Sequence, residues 1–348
     1  MSRLKSSILA VLAVAVMIGF AVANAVPVEA QGSAALSISP RKNYTIEPGK
    51  SINDTLLIRN IDRERPLHLS MRVVDFTFTD DGGTPKLDLS EDAPQTTWSL
   101  KSFMNAPENI TIEPGESESV AMSIAIPENQ GAGSYYSAIV YSSSASEGGN
   151  VGLSASGVTL VFVTIPGDVE ENLTLEKIGA YDSTERKYKF FNMEMPKRIG
   201  YTLKNEGNVA ESPVGSIAMK NILFGREKTI NDINPSKSLA LIGQTRTFEP
   251  CISLAKESVN FDGNRQEATT CTDAGLWPGI YSVTLSGFYG QNGNNTKELI
   301  GKGYFIYTPL WFIAAVLAVL AYGSFRIWRL VQLIKRKNAK KSTLRGKK

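Results

Sequence analysis

Between residues 31 and 300, run after run places apolar side chains at every second position, and helical spacing is nearly absent. A period of two is the signature of a strand with one buried face. In "SVAMSIAI", Val120, Met122, Ile124 and Ile126 share one face, with Ala121, Ser123 and Ala125 on the other. In "LHLSMRVVDF", Leu67, Leu69, Met71 and Val73 oppose His68, Ser70 and Arg72. An α/β enzyme fold needs helices between its strands, and this stretch offers none.

The phrase Thr-Ile-Glu-Pro-Gly occurs twice, in "TIEPGKSIN" from residue 45 and "TIEPGESES" from residue 111. Pro presets φ for the first central position of a type II turn, and Gly accepts the positive φ of the second. Pro48-Gly49 and Pro114-Gly115 are therefore turn residues, each introducing a core strand. The spacing is too short for two copies of a whole domain, so both turns belong to one β-sandwich. Further strands are expected in "TWSLKSF", "SYYSAIVYSSS" and "VGLSASGVTLVFVTIP". Seven or so short strands with turns between them point to an immunoglobulin-like sandwich. A second series runs from "NLTLEKIGAY" to "ELIGKGYFIY". Asn60 and Asn205 each end an early strand, and Gly133-Ser134-Tyr135 and Gly279-Ile280-Tyr281 each open a late one. The near-equal spacing of these landmarks supports two domains of one type. Residues 250–277 look inserted in the second and read as a long loop pinned by a Cys251–Cys271 disulfide, with free thiols as the alternative.

The two ends differ from the middle. Residues 1–30 read as a secretory signal: Arg3 and Lys5, then an apolar run from Ile8 to Val22, with cleavage after Ala25 or Ala30. From Pro309 to Phe325 no residue is charged, and the run extends to Leu330 with Arg326 and Arg329 placed to snorkel. That length matches a bilayer core of roughly 30 Å. Trp311 and Trp328 stand where the outer and inner aromatic belts belong. Beyond Leu330 come Lys335, Arg336, Lys337, Lys340, Lys341, Arg345, Lys347 and Lys348 and no acid, which marks a cytoplasmic tail. The formal charge of +3 thus belongs to the tail, while the middle of the chain is net acidic, so the basic balance does not argue for nucleic acid. The expected class is all-β: two tandem immunoglobulin-like β-sandwiches (31–168 and 169–307) plus one C-terminal transmembrane α-helix (308–330) and a tail (331–348). The expected location is the plasma membrane, single-pass, with the N-terminal part outside.

Groups for catalysis are scarce. His68 is the sole histidine and lies on the polar face of its strand, with no nucleophile motif around it. Two cysteines and one distant histidine make no zinc spacing, and no phosphate or dinucleotide loop appears. No cofactor, metal site or catalytic residue is expected, and the chain reads as a non-enzyme. The acidic stretch at 79–94, with Asp80, Asp81, Asp88, Glu91 and Asp92, has oxygen ligands for calcium but no calcium-loop spacing. It reads as a solvated connection. Five N-x-S/T sequons begin at Asn43, Asn53, Asn109, Asn172 and Asn294.

The order of features resembles the WxL-interacting protein family. The similar stretches are "ISPRKNYTIEPGKSINDTLLIRN", "VVDFTFTDDGG", Trp98 before "ITIEPGESESVAMSIAIP", "GAGSYYSAIVY", "YTLKNEGNVAESPVGSIAMKN" and "WPGIYSVTLSGFYG", followed by span and basic tail. The cysteine pair departs from that pattern. The resemblance implies a membrane-anchored cell-surface binding protein that contacts peptidoglycan through its first domain and an exported WxL-domain protein through its second. Sandwich edges suit strand addition as the binding mode. The competing expectations are a cell-wall glycan hydrolase using only carboxylates, and a passive adhesin or spacer.

Overall fold

The computed structural model describes residues 36–79, 81–90, 94–143, 156–261, 264–290 and 296–345. The expected signal segment lies outside them, as do Asp80, Glu91, Asp92 and Asn294. Strands β1 (Leu36–Ile38), β2 (Arg41–Thr45), β3 (Ser51–Asn60), β4 (Leu67–Val74), β5 (Phe76–Phe78), β6 (Pro85–Leu87), β7 (Met104–Asn105), β8 (Asn109–Ile112), β9 (Ser117–Ala125), β10 (Gly133–Ser143) and β11 (Ser156–Ile165) come first. They form a four-stranded sheet, β1-β3-β9-β7, a five-stranded sheet, β2-β11-β10-β4-β8, and the small β5–β6 hairpin.

A second group follows: β12 (Leu173–Asp182), β13 (Lys187–Tyr188), β14 (Phe191–Asn192), β15 (Arg198–Asn205), β16 (Val214–Asn221), β17 (Glu227–Ile230), β18 (Thr245–Phe248), β19 (Leu254–Phe261), β20 (Asn264–Cys271), β21 (Gly279–Tyr289) and β22 (Lys297–Tyr307). Its sheets run β13-β12-β15-β18 and β14-β22-β21-β16-β17, with β19–β20 as a separate hairpin. The two groups share one plan. In each, an early strand crosses to the second sheet and pairs parallel with the last strand, β2 with β11 and β14 with β22, while the other pairs are antiparallel. The fold is thus two immunoglobulin-like β-sandwiches followed by one long helix, α1 (Leu310–Arg345).

The doubled Thr-Ile-Glu-Pro-Gly closes both ends of a single ladder. Strands β3 and β9 pair antiparallel from Ser51↔Ala125 to Arg59↔Ser117, so each begins where the other ends. Gly49 (φ 74°) and Gly115 (φ 76°) adopt the positive φ that the turn requires. The turns close through Lys50 N–H to Glu47 O and Glu116 N–H to Glu113 O, both at 3.1 Å. Each glycine then donates just beyond the partner strand, Gly49 to Ile126 O and Gly115 to Asp62 O. An antiparallel pair has a local twofold relation, and one turn sequence serves both of its ends.

Two buried asparagines make equivalent corners. Asn60 ends β3, accepts from Asp62 N–H, and donates to the carbonyls of Arg65 and Ile112. Asn205 ends β15, accepts from Gly207 N–H, and donates to Val209 and Ala240. A side-chain amide thus satisfies backbone groups that a turning strand leaves unpaired. Between the sheets of the first sandwich lie Ile58, Ile124, Ile139, Tyr141, Val161 and Val163, and between those of the second Tyr201, Leu203, Ile217, Val283, Leu285 and Phe305. Each fully buried large side chain contributes about 1.5–3 kcal/mol.

Three expectations are corrected. "TWSLKSF" is not a strand: residues 97–103 form turns in which Phe103 and Met104 donate to Leu100 O, with a lone bridge at Ser99. Leu100 is fully buried, and the tight turn places it in the core without a ladder. The inserted segment is not a loop but the β19–β20 hairpin, paired from Leu254↔Cys271 to Phe261↔Asn264. The Cys251–Cys271 disulfide, Cα atoms 5.2 Å apart, clamps its base, and Cys251 also bridges Arg198 on β15. Finally, α1 does not stop at Leu330 but continues through the tail to Arg345. A run rich in Lys and Arg has good helix propensity and adds bonds to an existing helix without a nucleation cost.

Candidate functional site

The sheet containing β10 and β11 is buried on both faces. Ile139 and Tyr141 point into the first sandwich, while Tyr136, Ala138, Val140 and Phe162 point away from it. The outer face is covered by Phe76 of the β5–β6 hairpin and by Ala210, Leu239 and Leu241 of the second sandwich. Phe76 packs against Tyr136 and Phe162 with ring centroids 5.3 and 5.9 Å apart. This aromatic cluster joins the two sandwiches.

Polar contacts fix its orientation. Ser134 N–H donates to Asn208 O at 3.1 Å, and Ala210 N–H to Ser134 Oγ at 2.9 Å. Thr247 Oγ1 donates to Asp81 Oδ2 at 2.8 Å, so the acidic stretch expected to be a solvated connection anchors one sandwich to the other. Arg246 stacks over Phe78, 4.8 Å from the ring centre. Beside the junction Glu211 is buried (1% exposed) and accepts from Gly290 N–H at 3.2 Å. Burial, with the nearby Glu171 charge second, pushes its carboxyl up to about 8. Asp75 is likewise buried and accepts from Ser99, Ser137 and Thr96, tying the approach to β7 onto β10.

A groove of about 340 Å³ opens at the junction, lined by Arg41, Asn43, Thr45, Phe162, Ser212 and Lys237 among others. One wall is the edge strand β2. Its partner is β11 alone among the described residues. Leu160 N–H donates to Pro40 O and Ile46 N–H to Thr164 O. Alternation along a parallel ladder therefore turns the backbone groups of Arg41, Asn43 and Thr45 to the free edge. Arg41 lies 5.1 Å over the Phe162 ring and donates to Lys237 O at 2.7 Å and Asn43 Oδ1 at 2.9 Å. Burial lowers the affinity of its guanidinium for the proton, which stays charged at neutral pH all the same. The groove thus offers backbone hydrogen bonds along an extended line, an aromatic floor and two cations. Those features suit an extended, acid-bearing peptide rather than bond-breaking chemistry.

The sequence-derived residues fall elsewhere. Pro48, Gly49, Pro114 and Gly115 form turns at both ends of β3–β9, and Cys251 and Cys271 clamp the hairpin. Trp311, Arg326, Trp328 and Arg329 all lie on α1, with Trp311 and Trp328 exposed. His68 sits on the surface, hydrogen-bonded to Thr111 Oγ1 at 3.0 Å. None of these lines the groove. Arg41, Lys237 and the junction cluster went unread, although one signal was present: "SAIVY" and "TLVFV" carry apolar side chains on both faces, which implies cover on both sides.

Residues Leu310–Lys335 of α1 make one helix long and apolar enough to cross a membrane, about 39 Å at 1.5 Å per residue. Its start is tied to the second sandwich. Thr308 N–H donates to Asn192 O at 2.9 Å, and Pro309 O accepts from Phe312 N–H at 2.9 Å.

No protein-family model matches the chain, and no curated protein matches it. Solved structures resemble it loosely. The class 5 fimbriae chaperone CfaA aligns with a TM-score of 0.37 and 10% identity, covering 79% of this chain and 100% of its own. The Salmonella enterica SafA pilin–SafB chaperone complex gives 0.35 and 8%, covering 80% and 98%. The E. coli chaperone DraB gives 0.33 and 13%, covering 68% and 98%. With superpositions this loose, the architecture stands on the chain's own strand order.

Proposed function

We propose that this chain is a membrane-anchored cell-surface binding protein that holds an extended segment of an exported protein along the free edge of β2. An edge strand that meets no further strand among the described residues, beside a cation-bearing groove at a fixed junction, carries this reading. Strand addition uses the partner's backbone for affinity and side-chain pockets for specificity. A rigid junction keeps the groove's two walls in register and lowers the ordering cost of binding. The helix α1 would span the membrane, with the basic end cytoplasmic by the charge bias of its flanks and both sandwiches outside. Tethering raises the local concentration of the groove for partners at the same surface. In line with the likeness to the WxL-interacting family, the partners would be peptidoglycan and an exported protein with a WxL domain.

The test is capture from the native cell surface by the full-length protein, read by mass spectrometry, beside binding to isolated cell walls. Arg41→Glu reverses the groove charge, and Thr45→Pro deletes an outward N–H at a position where an edge strand tolerates proline. Both should cut partner recovery at least tenfold, compared at a temperature where each variant is folded by circular dichroism, since Arg41 also bonds Lys237 O across the junction. Undiminished capture by both variants would rule out the groove. Failure of the parent to enrich any exported protein or cell wall would rule out the binding reading itself.

A further inference from the structure

At the end of the second sandwich where α1 emerges, large apolar side chains stand in the open. Along the sheet β14-β22-β21-β16-β17 the terminal residues at this end are set by register: Phe191↔Ile306, Gly279↔Tyr307 and Asn221↔Tyr281. Two loops project beyond them. One follows β14 and carries Met193, 62% exposed, beside Phe191 of β14 itself, 70% exposed. The other, the β16–β17 turn, carries Leu223 and Phe224, and Phe224 meets Trp277 with centroids 6.2 Å apart. Leu223 is 60% exposed and Trp277 47%. Five strands at roughly 4.8 Å spacing put these loops about 19 Å apart, so they form a rim rather than one spot.

Such side chains are costly to leave in water, and exposed apolar patches mark surfaces that meet something. The chain's own covalent geometry says what. Only Thr308 and Pro309 separate Tyr307 at the end of β22 from Leu310 at the start of α1. Two residues reach at most about 7 Å, and Thr308 is held by Asn192 at the end of β14. The rim is therefore within reach of the surface that α1 enters. Its composition also suits that surface. The Arg226 guanidinium lies 4.3 Å over the Trp277 ring, and Lys228 donates to Ala274 O at 2.8 Å. Aromatic rings with a cation beside them are what the headgroup region favours.

We infer that the base of the second sandwich is a lipid-contacting rim, which seats both loops in the headgroup region around α1 and fixes the tilt of the sandwiches against the bilayer. The inference rests on the membrane reading of α1 given above. A lone helix with a flexible spacer would let the groove wander, whereas a seated base holds it at one height and orientation.

The chain has four tryptophans, which allows a direct test. Full-length protein is reconstituted into vesicles of phosphatidylcholine and phosphatidylglycerol whose acyl chains are brominated near the headgroup. One variant keeps Trp277 alone (Trp98→Phe, Trp311→Phe, Trp328→Phe), and another keeps Trp311 alone. Trp277 emission should fall at least twofold relative to unbrominated vesicles, and adding Leu223→Ser with Phe224→Ser should abolish most of that quenching. Quenched Trp311 with unaffected Trp277 would overturn the rim and leave the membrane span intact. If neither responds, the span reading fails and the rim fails with it.

Discussion

The two sandwiches share a strand plan, yet they spend their outer surfaces differently. The first buries both faces of its five-stranded sheet, one against its own core and one against the junction cluster of Phe76, Tyr136 and Phe162. The second leaves its base apolar and open and carries a disulfide-clamped hairpin that the first lacks. Strand order therefore says how each module is closed, while the residues outside the cores say what each module meets: its neighbour for the first, and by our inference a lipid surface for the second.

Four perturbations bear on that contrast, the largest first. Phe76→Ala empties part of the junction and should cost about 3–5 kcal/mol. Calorimetry of the detergent-solubilised chain should then resolve two transitions where the parent melts as a coupled unit. A single unsplit transition in the variant would mean that the cluster does not couple the domains. Removing the disulfide with Cys251→Ser and Cys271→Ser in the Phe76→Ala background, where the sandwiches melt separately, should destabilise the second sandwich by about 3 kcal/mol and leave the first transition in place. A shift in the first sandwich as well would reveal coupling through the hairpin.

The asparagine corners provide the symmetric control. Asn60→Ala and Asn205→Ala each orphan buried carbonyls, at about 1–3 kcal/mol per group, and in the Phe76→Ala background should cost their own sandwiches similar amounts. Unequal losses by more than about 1 kcal/mol would break the equivalence of the corners. Glu211 is read as a slope with pH rather than as a single loss. Its carboxyl binds its proton more tightly folded than unfolded, up to about 8 against an ordinary 4.5. Stability from this group is complete below about 4.5 and declines as pH rises through about 8. The melting temperature should thus fall between those limits, and Glu211→Gln should flatten that slope. An unchanged slope would move the titration to another group.

Much of the fold was legible because its signals are local. Alternation at Val120–Ile126 and the doubled turn phrase predicted strands that the structure contains, and Asn60 and Asn205 stood out by spacing alone. Other signals misled or went unread. The alternation of "TWSLKSF" describes a turn whose Leu100 reaches the core by another route. Asp262-Gly263, a strong hairpin dipeptide lying outside the described residues, separates β19 from β20, yet the segment read as a loop. Of the groove nothing was legible, since Arg41 and Lys237 are 196 positions apart.

By itself, then, the sequence determined periodicity, turn positions and the length of one apolar helix, because each depends on residues within a few positions of one another. Only the tertiary structure decided that the doubled phrase closes one ladder, that β10 is covered on its outer face, and that β2 has a free edge over a cationic groove. Those features arise from contacts between residues distant along the chain, and a hydrophobic pattern states that a face must be buried without stating against what.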